Sequence, residues 1–386
     1  MRKVAFCIFL VLVFIMACTD IGALELMEND ATQETTPTPT STPDLLPVSG
    51  PDPSPRVGAF YHAWYLTMGN DAKWDHWNQN NRLPPLDISS DYYPLLGAYS
   101  STDPEVIAQH FAWMREAGIG IVISSWWGRS SPTDRILPLM LDIVDHYGLK
   151  MAFVLEQYDG RTAKNMADSI RYIYRTYGDH PAFYWTTETS RFSPDDRKKG
   201  LFFMWNTTQP EDGKPPVPFD YWREALDTLH SEETGAIVLT DEYYSDYLTK
   251  SHFDGSYNYG VLDIDEVGYT YSHDLPDGAW YVPGINPGFS AWRIGYDAIL
   301  DTPRKDGQTY IDRWESMFDV GIEPHMVVIT TFNEWHEGTQ IEPAQSGVTT
   351  PNGYEYLDYG DLGPEGYLKL TREWVDRFLS YEWPNK

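Results

Sequence analysis

Short apolar runs alternate with amphipathic stretches from about residue 57 to the C-terminus, and this alternation predicts the fold. The apolar runs are typical of buried strands. They span residues 57–61, 119–125, 150–156, 201–205, 236–241, 253–257, 279–284 and 326–332. Most are separated by stretches of helical periodicity: 104–117, 136–147, 163–177, 221–230, 310–320 and 367–381. Asp103, Pro104 and Glu105 supply an N-cap, a first-turn proline and a first-turn acid for the first of these helices, and Gly118 ends it.

Strands that are apolar throughout and separated by helices indicate a parallel sheet covered on both faces. Eight such strands fit a (β/α)8 TIM barrel, an α/β fold that forms a single catalytic domain over residues 57–386. An open doubly wound sheet is the alternative, but no glycine-rich dinucleotide motif follows the first strand. The less regular segments 185–200 and 258–278 are predicted to be loops at the barrel top.

The N-terminus resembles an export signal. Arg2 and Lys3 precede an apolar run at 4–16, which is too short for a stable transmembrane helix. Residues 15–18 resemble a lipobox, so 1–18 are predicted to be a lipoprotein signal peptide with Cys18 as the lipidated residue. An ordinary signal peptide cut nearby is the alternative. Cys7, the other cysteine, lies inside the signal, so the mature chain has no internal pair for a disulfide.

Residues 19–56 are rich in proline and threonine, a composition typical of an extended linker without a core. We therefore expect an exported, cell-surface or periplasmic lipoprotein, anchored to a bacterial or other prokaryotic membrane. We also expect a monomer.

The composition argues against a nucleic-acid partner and permits a sugar substrate. The formal charge is −29, from 28 basic and 57 acidic residues, whereas phosphate binding needs clustered cations. Aromatic residues make up 15% of the chain. Most of them must serve a large core, but aromatic faces are also platforms for sugars.

Acidic and aromatic residues follow at least five of the predicted strands, at the edge where a barrel places its active site. Glu334 and Glu337 form the sharpest pair, because glycoside cleavage needs one group that protonates the leaving oxygen and a second carboxylate. A structural acidic loop, with Glu334 paired to an arginine, is the alternative. A metal site at Glu334, His336 and Glu337 is a further alternative, but no His-Glu-x-x-His pair occurs, so no metal or cofactor is expected.

Five segments then resemble glycoside hydrolase family 99, which contains endo-α-1,2-mannosidases and endo-α-1,2-mannanases. They are residues 99–104, 125–128, 156–161, 181–184 and 332–343, and the last is long and specific. The resemblance runs in order from about residue 57 to the C-terminus. It implies a (β/α)8 barrel, an oligosaccharide or polysaccharide substrate, retention of configuration and no metal.

The resemblance also implies residue roles. Glu334 acts as the base that deprotonates the sugar's own 2-hydroxyl, giving a 1,2-anhydro intermediate, and Glu337 protonates the leaving oxygen and later activates water. The substrate-binding residues that it suggests, with neighbours in the same motifs, are Tyr61, His62, Trp126, Trp127, Glu156, Tyr257, Asn333 and Trp335. Two stretches depart from the family pattern, His62-Ala63 and residues 283–289, and they leave the outer-subsite sugar open. Hydrolysis of another α-linked glycan, and glycan binding without catalysis, are the alternative functions.

Overall fold

The computed structural model describes residues 45–211, 213–259, 274–296 and 301–384, and its strands form one parallel barrel. The strands are β1 (Ser54–Tyr61), β2 (Ile119–Trp126), β3 (Lys150–Leu155), β4 (Trp185–Thr186), β5 (Lys199–Met204), β6 (Gly235–Thr240), β7 (Gly255–Tyr257), β8 (Trp280–Val282), β9 (Gly284–Ile285) and β10 (Val327–Ile329). Their order is β8-β7-β6-β5-β3-β2-β1-β10-β9, and only the short β4 pairs antiparallel, with β5.

Pro283 separates β8 from β9, and together these two strands close the barrel. β8 pairs with β7, while β9 pairs with β10. Because proline has no N–H for the ladder, the segment 280–285 is divided at this residue into two short strands. Counting this segment once and leaving out the antiparallel β4 gives the eight parallel strands of a (β/α)8 barrel, so the predicted fold is confirmed.

Helices cover the outside of the barrel between most strands. They are α1 (Met68–Asp71), α2 (Pro104–Glu116), α3 (Pro132–Arg135), α4 (Leu137–His146), α5 (Ala163–Tyr177), α6 (Arg223–Ser231), α7 (Ser245–Ser251), α8 (Gln308–Asp319) and α9 (Gly366–Ser380). As predicted, Asp103 caps α2, and its side chain accepts a hydrogen bond from the Glu105 N–H at 2.9 Å. None of the helices in the described ranges is long and apolar enough to cross a bilayer.

Alternating residues on each strand face two different apolar layers. On β3, Ala152 and Val154 belong to a cluster made of residues on or beside the strands, which fills the barrel interior. Met151, Phe153 and Leu155 belong to the larger cluster that includes residues of α2, α4 and α5. Fully burying a large apolar side chain contributes about 1.5–3 kcal/mol, so both layers stabilise the rim above them.

β1 begins at Ser54, three residues before the predicted start at 57. The residues just before it contact the barrel domain, because Arg115 donates to the Ser49 carbonyl at 3.2 Å and pairs with Asp52 at 3.0 Å. Cys18 and the rest of residues 1–44 lie outside the described ranges, and so do residues 260–273 of the predicted 258–278 loop.

Candidate active site

The C-terminal rim of the barrel gathers polar and aromatic side chains from four strands. His62 follows β1, Trp127 follows β2, Glu156 follows β3, and a loop at 330–342 follows β10. Parallel strands in a barrel all end at the same rim, which is why positions far apart in sequence meet here. The predicted residues Glu334 and Glu337 both lie on the 330–342 loop.

This loop is fixed by hydrogen bonds to its own turns and to a buried arginine. The Glu334 N–H donates to Thr331 Oγ1 at 2.8 Å. Arg304 Nη2 donates to the carbonyls of Gly338 and Gln340 at 2.8 and 2.6 Å. Three tyrosine rings enclose the guanidinium at 4.6 to 4.8 Å: Tyr92, Tyr359 and Tyr367. Cation–π attraction and the carbonyl acceptors compensate the burial of this charge, so Arg304 holds the loop in place.

Glu334 is buried and held as a carboxylate. Only 3% of the residue is exposed, and Oε1 accepts a hydrogen bond from the backbone N–H of His336 at 2.9 Å. The His336 ring Nδ1 lies 3.2 Å from the same oxygen, and His62 Nδ1 lies 3.7 Å from Oε2. Burial by itself raises the pKa of Glu334, but the hydrogen bonds and charge of His336 and the nearby His62 outweigh it, and the pKa falls below its usual value.

Glu337 experiences the opposite shift. Burial raises its pKa to about 8, and the negative charge of Glu334 adds to the shift. Tyr259, whose hydroxyl donates to Glu337 Oε2 at 3.4 Å, opposes it. One glutamate therefore favours the ionised form and the other the protonated form at neutral pH, which is the arrangement that acid–base catalysis requires.

A third carboxylate and an aromatic platform are linked through one serine. Ser125 Oγ donates to Glu156 Oε1 at 2.7 Å and accepts from Trp127 Nε1 at 3.0 Å. Burial raises the pKa of Glu156 to about 7, and the hydrogen bond from Ser125 opposes that shift. The Trp127 ring is partly exposed and belongs to a row of three rings. The ring centroids of Trp127 and Trp64 are 6.2 Å apart, and those of Trp64 and His62 are 4.5 Å apart.

Asn333 joins the loops that follow β1 and β10. Its Oδ1 accepts from the His62 N–H at 2.7 Å, and its Nδ2 donates to the His62 carbonyl at 2.9 Å. Asn333 is fully buried, and both ends of its amide contact the same residue of the neighbouring loop. The structure therefore places Asn333 as a clamp that sets the position of His62 relative to Glu334.

Four of the predicted substrate-binding residues are held by hydrogen bonds to groups other than Glu334, Glu337 and Glu156. Tyr61 faces α2, where its hydroxyl contacts His110 Nδ1 at 3.0 Å, and Trp126 donates to Asp134 at 2.9 Å in the helix layer. Trp335 donates to Glu342 at 2.9 Å beneath the loop. Tyr257 lies in the barrel interior and donates to the Met204 carbonyl at 3.2 Å. All four are buried and support the rim from below or from outside.

Successive side chains of a strand point to opposite faces, and this explains why neighbouring residues of one motif lie in different places. Tyr61 and Trp126 point outward, whereas the following residues, His62 and Trp127, reach the rim. Spacing within a motif cannot reveal this, because a shift of one residue reverses the face.

Sequence reasoning gave no role to several residues that the structure brings to the site. Tyr259 contacts Glu337, and Ser125 orients both Glu156 and Trp127. Glu342 is fully buried behind the loop, where it contacts His110 Nε2 at 3.1 Å and accepts from Tyr99 at 2.8 Å. Glu342 and Ser125 lie inside segments that resemble the family, and this position could have identified them from the sequence. Arg304 lies outside all of these segments, so the sequence did not indicate its role.

The departing stretch at 283–289 runs from the barrel closure towards the 330–342 loop. Just after it, the Ser290 N–H donates to the Glu337 carbonyl at 2.8 Å. Both departures from the family pattern, this one and His62-Ala63, therefore lie beside the two glutamates. Among the described residues, no group of three or more histidine, cysteine, aspartate or glutamate side chains is placed to hold a metal ion.

Comparison with known proteins agrees with this geometry. The model of the family described as glycosyl hydrolase family 99 matches residues 54–380. The glycoprotein endo-alpha-1,2-mannosidase of Mus musculus is 32% identical over 368 residues, which cover 83% of this chain and 74% of that protein. A glycoprotein endo-alpha-1,2-mannosidase-like protein of Danio rerio is 31% identical, with 86% and 80% covered.

A solved structure shows the same architecture. The GH99 endo-alpha-mannosidase from Bacteroides thetaiotaomicron superposes with a TM-score of 0.71 at 27% identity, covering 85% of this chain and 98% of that one. The barrel, the rim glutamates and the family match over nearly the whole described domain agree with one another. The chain is therefore a glycoside hydrolase that belongs to glycosyl hydrolase family 99.

Proposed function

We propose that this enzyme is a retaining, endo-acting α-mannoside hydrolase of the endo-α-1,2-mannosidase or mannanase type, with Glu334 as base and Glu337 as acid. The observation that carries the proposal is the geometry of one rim loop, on which Glu334 accepts a hydrogen bond from the His336 N–H and Glu337, three residues on, accepts one from Tyr259. The pKa of Glu334 is lowered, whereas that of Glu337 is raised to about 8. At neutral pH one carboxyl group can accept a proton while the other donates one.

The proposed first step conserves protons and electron pairs as follows. Glu334 Oε2 takes the proton of the substrate's 2-hydroxyl, and the oxygen's electron pair forms a bond to C1. The bond from C1 to the leaving oxygen breaks, and that oxygen takes the proton of Glu337. In the second step Glu337 removes a proton from water, whose oxygen bonds to C1 as the bond from C1 to O2 breaks, and Glu334 returns its proton to O2. Two inversions at C1 give net retention, and neither glutamate bonds to carbon.

The surrounding residues support binding of a neutral sugar chain. Trp127 offers a partly exposed ring face, and Glu156 offers an acceptor for hydroxyl groups beside it. His62 lies against Trp64 with both ring nitrogens lacking a hydrogen-bond partner among the residues described. We propose that these three side chains contact the substrate.

The test of this proposal is incubation of the purified protein with α-1,2-linked manno-oligosaccharides. Mass spectrometry gives the cleavage position, and NMR recorded at early times gives the anomer released. Internal cleavage with retained α-configuration is expected. Cleavage of a different α-linked glycan would contradict the substrate proposed here. The residues that depart from the family pattern, His62 and 283–289, would then be the first candidates for the changed specificity. Binding without any cleavage would show a glycan-binding protein.

The basic side of the pH profile tests the role of Glu337. Because the acid must carry its proton, kcat/KM is expected to fall above pH about 8. Tyr259→Phe removes a hydrogen bond that stabilises the charged form of Glu337, so the pKa of Glu337 rises and this limb moves to higher pH, by about half a unit or less because the bond is long. Tyr244→Phe, at a tyrosine that is 50% exposed, is the matched control and should leave the limb in place. A downward shift in Tyr259→Phe contradicts the assignment.

We also propose that the enzyme is an exported lipoprotein that is anchored through Cys18, and that the proline- and threonine-rich residues between Cys18 and the barrel domain act as the linker, which ends before β1 begins at Ser54. The support is the sequence alone: two basic residues, an apolar run, and a lipobox-like tetrapeptide that ends in Cys18. Cys18→Ser is expected to abolish metabolic labelling with a fatty acid and to release the protein from the membrane fraction of a bacterial host. Unchanged labelling in this variant would contradict the proposal.

A further inference from the structure

His336 stands between Glu334 and Glu337 in sequence. Its backbone N–H and its ring Nδ1 both contact Glu334. His336 is 6% exposed. Its backbone N–H and its ring Nδ1 both lie against Glu334 Oε1, at 2.9 and 3.2 Å. On the other side of the ring, Nε2 lies 2.8 Å from the His76 carbonyl oxygen.

These contacts determine where protons must be. A carbonyl oxygen only accepts, so the His336 Nε2 that faces it carries a hydrogen. A carboxylate also only accepts, so the Nδ1 contact with Glu334 needs a second hydrogen between the two atoms. Glu334 Oε1 also accepts the backbone N–H of His336, as a carboxylate oxygen does, so the geometry assigns this hydrogen to Nδ1 and makes His336 an imidazolium paired with a carboxylate.

We propose that His336 is the positioning residue that gives the two glutamates their separate roles, by holding Glu334 ionised through Oε1 and leaving Oε2 to take the substrate proton. This inference rests on the proposed function for its catalytic meaning. Oε2 faces His62 Nδ1 at 3.7 Å, which is beyond hydrogen-bond length, so this oxygen keeps its capacity to accept.

Two carboxyl groups that share a poorly solvated site need a neighbouring group that makes their proton affinities different. Without a difference in their surroundings, they would share one proton, and either could be the base. Of the two glutamates, His336 contacts Glu334 with its backbone N–H and ring Nδ1, whereas the hydrogen bond to Glu337 comes from Tyr259, at the longer distance of 3.4 Å. The asymmetry therefore comes from the burial of Glu337 together with the contacts that His336 makes with Glu334.

Other charged and titratable groups also face Glu334, and they come from several parts of the rim. They are His62 after β1, Tyr65 on the same loop, His76 behind His336, Glu156 after β3, Tyr259 after β7, and Glu337 on the 330–342 loop. The two carboxyl groups disfavour ionisation of Glu334 when they are charged. His62 and His336 are the neighbours that favour it, and of these two only His336 is within hydrogen-bond distance.

The first test is the pH profile of kcat/KM. His336→Phe keeps a ring without any donor, and the acid limb, which reports ionisation of Glu334, is expected to move up by about one unit or more. On the acid side this lowers kcat/KM about tenfold for each unit. His336→Asn, which has an uncharged donor, should give a smaller shift. The basic limb should move less, because the contacts of His336 are with Glu334.

The matched control is His110→Gln. His110 is also a buried histidine paired with a carboxylate, Glu342, and it lies behind the same loop. Its loss should lower stability without moving the acid limb. If His336→Phe lowers kcat/KM equally at every pH, as a purely structural role requires, the proposal is overturned.

The second test does not depend on turnover. Nitrogen-15 NMR of histidine-labelled protein, with the His336 signals assigned through His336→Asn, reports whether the ring carries one or two protons. Two protons are expected at neutral pH in the wild type, and one in Glu334→Gln, where the carboxylate is removed. A singly protonated ring in the wild type overturns the proposal, even if the enzyme proves to act on another glycan. Absence of α-mannoside cleavage together with a doubly protonated ring would reject the proposed function alone.

Discussion

Replacing either Glu334 or Glu337 by glutamine is expected to lower kcat/KM for α-mannoside cleavage by at least about 10³-fold, with little change in stability. A positioned acid or base contributes about 10²–10⁴-fold each. In this mechanism Glu334 also generates the nucleophile, so its loss removes the first bond-forming step. Glutamine keeps the size of the side chain and can still accept from the His336 N–H. The effect should therefore appear in turnover and not in the melting temperature.

The two variants should differ when the leaving group no longer needs a proton. With a substrate whose leaving group is fluoride, Glu337→Gln should recover a large part of its activity in the first step, whereas Glu334→Gln should not. This difference separates the acid from the base, which a common loss of activity cannot do. Initial rates of fluoride release, measured with an ion-selective electrode, give the comparison directly.

Glu373→Gln is the matched control, because Glu373 is an exposed carboxylate on the outer helix α9. It should retain wild-type rates and wild-type stability. Wild-type rates in either Glu334→Gln or Glu337→Gln would refute the assignment of that residue. Recovery with fluoride in Glu334→Gln and not in Glu337→Gln would exchange the two roles.

The barrel could be predicted because its strands are buried on both faces and so read as apolar runs. The eight predicted strands match the observed ones within a few residues, and the 163–177 helix was predicted to the residue. The errors have local causes. Pro283 divides one strand, and α7 (Ser245–Ser251) is a short helix with only two buried apolar residues, Tyr247 and Leu248, so it has little periodicity to detect.

The site could be predicted only where a motif carried the residues. Glu334, Glu337, His62, Trp127 and Glu156 are brought to one rim, as the strand ends suggested. The direction of each side chain could not be predicted, so Tyr61 and Trp126 were grouped with the neighbours that reach the rim. The hydrogen on His336 Nε2 is fixed by the His76 carbonyl, a backbone group 260 residues away in sequence, which no spacing rule contains.

Asn333 is predicted from sequence to bind substrate, whereas the structure shows it bonded to the backbone of His62. The two roles predict different effects of mutation. Asn333→Ala is expected to reduce the free energy of unfolding by about 2–6 kcal/mol, because the buried N–H and carbonyl of His62 lose their partners at about 1–3 kcal/mol each. We also expect kcat/KM to fall about 10–100-fold, since His62 and Glu334 are no longer held in register and small misplacements at an active site are costly. Urea unfolding and steady-state kinetics measure the two effects.

Asn333→Asp sharpens this test. Aspartate keeps the acceptor for the His62 N–H but replaces the donor with an oxygen that faces the His62 carbonyl, and it buries a charge close to Glu334. The clamp therefore predicts that this nearly isosteric change destabilises the protein at least as much as alanine does. Asn352→Ala, at an exposed loop position, is the control and should change neither quantity. If Asn333 only binds substrate, Asn333→Ala should raise KM and leave stability unchanged. That outcome would contradict the proposed structural role of Asn333.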